Sequence, residues 1–199
     1  VLIGLPYRDR VMYTKPEYIV TTKEQLRERY SAPHELVVKK QIDFLAPYGQ
    51  KLISLSPFFV LASVGEKGVD VSPKGGYPGF VKTVGEKTLL IPDYAGNNRL
   101  DGLQNIIDNP QVGLTFFIPG YNEVFRVNGK ATISIDPSLC EFFTDTGKKV
   151  KCAIVVDIEE AFIHCGQAIS LAKLWNIESQ SNADKTPSLD EIIGFHKDR

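Results

Sequence analysis

Between residues 57 and 164 the chain passes through short apolar, β-branched and aromatic runs, most of them paired across a tight turn. That rhythm restricts it to antiparallel sheet, because strands joined by two- to four-residue turns can only pair head to tail. "FFVLASV" (58–64) and "VDVSPK" (69–74) flank the turn "GEKG". "FVKTV" (80–84) and "KTLLIP" (87–92) flank Gly85–Glu86, and "QVGLTFFI" (111–118) and "EVFRVNGKATISI" (123–135) flank "PGYN". "VKCAIVVDIEEAFIHC" (150–165) is a further strand, or two merged at a bend. The expected fold is mainly β with flanking helices (α+β), an antiparallel six-stranded barrel, closed or nearly closed.

Helical patterns surround the strands. Residues 1–55 read as a helical N-terminal arm. Thr21 and Glu24 have capping-box spacing, and Pro33 opens a helix with Val38, Ile42 and Leu45 on one face, punctuated by Pro47 and Gly49. Such an arm buries little by itself and is expected to pack on the barrel or on a partner. "NNRLDGLQNIIDN" (97–109) is a helix with Leu100, Leu103 and Ile107 on its apolar face, capped by Asn97 or Asn98. "PSLCEFFTDTG" (137–147) is another. Residues 56–175 form the barrel domain, and 176–199 a polar linker with a short amphipathic helix over 187–195.

Charge and cysteine content narrow the function. Lys plus Arg number 23 and Asp plus Glu 24, a net charge of −1. A chain without a positive field is not built for general nucleic-acid binding. No apolar run approaches the roughly 20 residues that span a bilayer, and residues 1–10 carry no secretory pattern. Cys140, Cys152 and Cys165 are odd in number and lack C-x-x-C spacing. They read as reduced thiols of a cytoplasmic protein without a metal site.

No dinucleotide fingerprint, phosphate-binding P-loop or nucleophile elbow is present. Four polar sets remain. In "VSPKGG" (71–76), Ser72 and Lys74 share a strand face beside Pro73 and two glycines. In "PDYAGNNRLD" (92–101), Asn97, Asn98 and Arg99 lie at a helix start, where backbone N–H groups and a guanidinium suit an anion; Arg99 is expected to be free of Asp101. In "FRVNGKA" (125–131), Arg126, Asn128 and Lys130 share a face. In "FIHCGQAISLAKLW" (162–175), His164 closes a strand and Lys173 and Trp175 close a helix. Taken singly, each set is better explained by a solvent-facing side chain, a capped helix or a core Trp.

Taken together, "SPFFVLASVGEKGVDVSPKGGYPGFV", "KTLLIPDYAGNNRLDGLQNIIDNPQVGLTFFIPG", "RVNGKATI" and "AIVVDIEEAFIHC" resemble the pyridoxamine 5′-phosphate oxidase-like superfamily of FMN-binding split barrels. The arm and the "HCGQA…LW" ending resemble a subfamily of FMN-dependent flavoproteins within it. The resemblance implies a homodimer with FMN in clefts between subunits and hydride transfer at the flavin N5 with a small organic substrate. It implies that Val71, Ser72 and Pro73 face the flavin ring and that Lys74, Asn97, Asn98 and Arg99 serve the ribityl-phosphate end. Ile91, Pro92 and Asp93 supply backbone contacts, and Asn105 and Arg126 are further candidates. His164, Lys173 and Trp175 come from the other subunit or line the substrate side. Trp175 is followed by "NIESQS", without the Arg-bearing tail that holds pyridoxal phosphate in the true oxidase. A deazaflavin-dependent reductase, served by Lys39–Lys40 and Lys148–Lys149, and a non-catalytic flavin or ligand carrier are the alternative functions.

Overall fold

The computed structural model describes residues 15–146, 149–178 and 185–197, with 144–146 as backbone only. It divides into two compact units between Lys39 and Lys40. The segment 40–55, expected with the arm, belongs to the second unit.

In the first unit, a short 3₁₀ turn at Pro16–Tyr18 precedes α1 (Lys23–Arg27) and α2 (Glu35–Lys39), and none of these elements buries a residue. The capping box on α1 is formed by Thr22 and Gln25, one position beyond the expected Thr21–Glu24. Gln25 accepts from the Thr22 N–H through Oε1, which the amide side chain does as well as a carboxylate.

The second unit opens with α3 (Pro47–Leu55), so Pro47 begins a helix rather than ending one. A proline at the first helical position sacrifices an N–H that has no partner there, and its fixed φ suits the turn. Among the described residues seven strands follow: β1 (Phe58–Gly65), β2 (Gly68–Gly75), β3 (Lys82–Val84), β4 (Thr88–Tyr94), β5 (Gln111–Phe117), β6 (Val124–Ser134) and β7 (Val150–His164). α4 (Asp101–Asp108) and α5 (Pro137–Cys140) interrupt them, and α6 (Gln167–Leu171) and α7 (Leu189–Lys197) follow. All strand pairs are antiparallel, in one sheet of order β2-β1-β5-β6-β7-β4-β3, one strand more than expected. Each of the seven apolar runs of the sequence forms one strand: 150–164 is a single strand, and the run 80–84 gives only the three-residue edge β3.

Alternation fills one interior. Phe59 and Leu61 of β1, Leu114 and Phe116 of β5, Val127 and Ala131 of β6, and Ile154 and Val156 of β7 are buried together with Leu45, Ile53 and Ile91. β7 keeps its apolar face inward by a bulge. Asn128 pairs with Glu160 but Gly129 with Ile158, so the buried positions pass from Ile154, Val156 and Ile158 to Ala161. Gly129 is required there, since a Cβ would strike the Asp157 carbonyl oxygen. β4 is buried on both faces, because Leu90 lies under Phe143 of the 3₁₀ turn Glu141–Thr146, in a second cluster with Ala153. This is why "TLLIP" is apolar without alternation.

β2 is one edge of the sheet and β4 the strand next to the other, and they share no ladder. Lys74 of β2 nevertheless donates to Asp93 of β4 over 2.8 Å. The sheet therefore curls until these strands face each other across a slit, closed by side chains and not by backbone hydrogen bonds.

Candidate functional site

The slit opens into a cleft of about 790 Å³, within the roughly 300–1,000 Å³ of small-molecule sites. Three elements line it. β2 contributes its inward positions Asp70, Ser72 and Lys74; β4 contributes Asp93 and Tyr94 at its end; and the loop 95–100 with the first turn of α4 forms the third side. α4 lies close against β2: a Cβ built on Gly102 would stand 3.2 Å from Asp70 Oδ2 and 3.8 Å from Ser72 Oγ. Leu61 and Leu103 supply apolar wall, and Lys151 and Cys152 of β7 close the end beside Asp93.

The loop is tightly wound. Asn98 and Leu100 both take φ near +60°, unusual for a residue other than glycine and costly for a bulky one. The Asn97 side chain accepts from the Arg99 N–H at 3.1 Å. Leu100 occupies the N-cap of α4 and gives no side-chain cap, so the Asn97 or Asn98 cap expected from the sequence does not form. The first N–H groups of α4 thus start at the cleft without a side-chain acceptor, which suits an anion. The apolar face of α4 turns on Ile106, with Ile107 exposed.

Six of the candidate residues meet here: Ser72, Lys74, Asp93, Asn97, Asn98 and Arg99. Arg99 is not free, since its Nε donates to Asp101 Oδ2 at 2.8 Å. Helical i, i+2 spacing does not keep the two side chains apart, because Arg99 precedes the helix. Both side chains are exposed, and four further guanidinium N–H donors remain. Lys74 and Asp93 form the half-buried pair.

The other candidates lie elsewhere. Val71 and Pro73 alternate onto the opposite, exposed face of β2. Ile91 is in the core and Pro92 is buried. Asn105 is on the buried face of α4, its amide donating to Ser63 Oγ at 3.3 Å. Arg126 lies on the outer face of β6, 5.0 Å from the centre of the Phe162 ring, and neighbouring Asn128 and Lys130 are held by Glu160 and Glu159. His164 is exposed at the end of β7; burial, then Arg126 and Lys40, push its pKa below the ordinary value. Trp175 donates to the Tyr121 carbonyl at 2.9 Å. Lys173 follows α6 with φ +49°. Of the two lysine runs, Lys148 lies outside the described residues.

Asp70, Tyr94, Lys151 and Cys152 complete the cleft and were not singled out in the sequence. Asp70 was legible, being two residues before Ser72 on one strand face. The other three depend on the pairing of β4 with β7, where Asp93 stands opposite Cys152. The Tyr94 hydroxyl is buried without a hydrogen-bond partner. Burial raises the Cys152 thiol pKa, Asp93 and Cys140 add to the rise, and Lys74 opposes it.

A profile of the pyridoxamine 5′-phosphate oxidase family matches residues 47–165, the whole barrel from α3 to the end of β7. The chain belongs to the pyridoxamine 5′-phosphate oxidase family. Among solved structures, HupZ of Group A Streptococcus is 19% identical, covering 60% of this chain and 93% of its own, with a TM-score of 0.49. An FMN-binding protein of Syntrophomonas wolfei is 10% identical over 71% of this chain and 96% of its own, TM-score 0.45. General stress protein 26 of Bacillus anthracis is 15% identical over 57% and 88%, TM-score 0.41. No curated protein sequence matches. Within this oxidase family fold, the cleft residues fit a ligand with an anionic tail. Backbone N–H groups and the spare Arg99 donors stand at the loop end, Asp70, Ser72 and Lys74 line the β2 side, and Leu61 and Leu103 supply the apolar wall.

Proposed function

We propose that the cleft binds FMN and that the protein is an FMN-dependent oxidoreductase acting on a small organic substrate. The observation that carries this reading is the convergence of β2, the strained 96–100 loop and the uncapped start of α4 on one cleft. Family membership supports it. Arg99, Asn97 and the loop amides would hold the phosphate by charge-assisted hydrogen bonds. Ser72 and the Lys74–Asp93 pair would orient the ring, with Leu61 and Leu103 excluding water. The flavin supplies hydride acceptance and donation when bound. The protein's part is to position it and set the charge around it.

The protein acts as a homodimer in this reading, supported by the exposed apolar face of edge strand β2, where Val69 and Val71 are 74% and 61% exposed. A cytoplasmic location is supported by three free thiols. No helix among the described residues is long and apolar enough to cross a membrane.

The test is to purify the protein without added cofactor, record its visible spectrum and weigh the released chromophore. A flavin spectrum with the mass of FMN supports the proposal. A deazaflavin would overturn the cofactor, and a protein that neither carries nor takes up flavin would overturn the function.

A further inference from the structure

The cleft holds two candidate anion ligands, Lys74 and Arg99, and each has a carboxylate partner. The two pairs differ in kind. Arg99 and Asp101 are 75% and 39% exposed and two residues apart. Such a pair is worth little in water, and an incoming anion can take the remaining guanidinium donors without breaking it. Lys74 and Asp93 are 26% and 14% exposed and come from strands that share no ladder. Among the described residues theirs is the one hydrogen bond spanning β2 and β4. Pulling Lys74 away would leave the Asp93 carboxylate half-buried and unpaired, a much larger loss than at the surface. A phosphate placed on Lys74 would also lie beside Asp93 itself, with Asp70 further along the same β2 face. Lys151, the remaining cation of the cleft, sits at the exposed start of β7.

We propose that Asp93 determines specificity: by holding Lys74, it closes the inner end of the cleft to anions. The ligand's charged group is therefore confined to the Arg99 end, and the compound seated against Lys74–Asp93 carries no phosphate or carboxylate there. The pair presents the two remaining ammonium N–H donors beside a free carboxylate oxygen, which suits an uncharged group with adjacent acceptor and donor. The inference builds on the reading of the cleft as a ligand site and adds which end takes the charge.

The test is calorimetric titration of flavin-free protein with phenyl phosphate and phenol. Asp93→Asn keeps an acceptor for Lys74 but removes the competing charge. It should bind phenyl phosphate roughly 10- to 150-fold more tightly than wild type, the range of one charge-assisted hydrogen bond, whereas phenol, which carries no charge, should show no such gain. The gain should vanish in Asp93→Asn/Lys74→Met and survive in Asp93→Asn/Lys151→Met. No gain in Asp93→Asn, or a gain that survives loss of Lys74, overturns the inference. Lys74→Met/Asp93→Leu, which removes the pair without leaving a lone carboxylate, gives a second reading that does not depend on the folding of Asp93→Asn. Unchanged phenyl phosphate affinity is expected, and a tenfold loss would mean that Lys74 already serves anions. A protein that takes up no flavin yet gains Lys74-dependent phosphate binding keeps this inference and refutes the flavin reading. One that binds flavin and gains nothing does the reverse.

Discussion

Arg99 concentrates the chemistry of the proposed site. If it holds the FMN phosphate, Arg99→Ala should weaken FMN binding about 10- to 150-fold, the equivalent of roughly 1.5–3 kcal/mol. Arg99→Lys should recover only part, since a point charge cannot reproduce the fork. Affinity within about twofold of wild type would remove Arg99 from the site. His164 gives a prediction about pH. Burial, Arg126 and Lys40 hold its pKa below the ordinary 6.5. Just below about pH 6.5 the unfolded chain therefore binds more protons than the folded one. Stability should rise with pH through that window and be lost as pH falls, and His164→Gln should flatten the slope of melting temperature from about pH 5 to 7. An unchanged slope would show that His164 titrates as in the unfolded chain. The thiols should separate by environment. Cys165 is exposed, whereas Cys152 is buried with a raised pKa, so labelling by a disulfide reagent should reach Cys165 first and Cys152 last. The reverse order would mean that the cleft leaves the Cys152 thiol open to the reagent.

At the level of elements, the bulge between β6 and β7 keeps the barrel's interior apolar. Gly129→Ala would force a Cβ against the Asp157 carbonyl, a backbone atom that cannot step aside. A loss of roughly 1–3 kcal/mol is expected, or about 2–4 °C of melting temperature per kcal/mol for a chain of this size. A neutral Gly129→Ala would mean the two strands part more easily than their packing implies. Much of this level was legible in advance. Hairpin turns, the shared face of Ser72 and Lys74 and the polar loop 97–99 all rest on local periods that a sequence displays. What was hidden depends on neighbours. Pro47 reads as a stop until the helix beyond it is known. The phase of α4 turns on Ile106 because Ser63 of β1 takes the Asn105 amide. The Arg99–Asp101 pair forms because Arg99 precedes the helix. The Lys74–Asp93 contact joins strands at nearly opposite ends of the sheet order, and no local pattern announces it.

At the scale of the whole molecule, the family match spans the barrel, and the proposed function rests on one cleft in it. Light scattering should give about twice the 22.2 kDa chain mass, because the outer face of β2 leaves valines in water. A stable mass of 22.2 kDa across micromolar dilution would contradict the dimer. The most direct test of the central claim, that this cleft is a flavin site anchored by its anionic end, is a fluorescence titration of the flavin-free protein with FMN and with riboflavin. The account predicts saturable binding of both, with FMN at least about tenfold tighter, since riboflavin lacks the phosphate and forgoes at least one charge-assisted contact. Equal affinities would contradict the anchor, and no saturable binding of either would contradict the site.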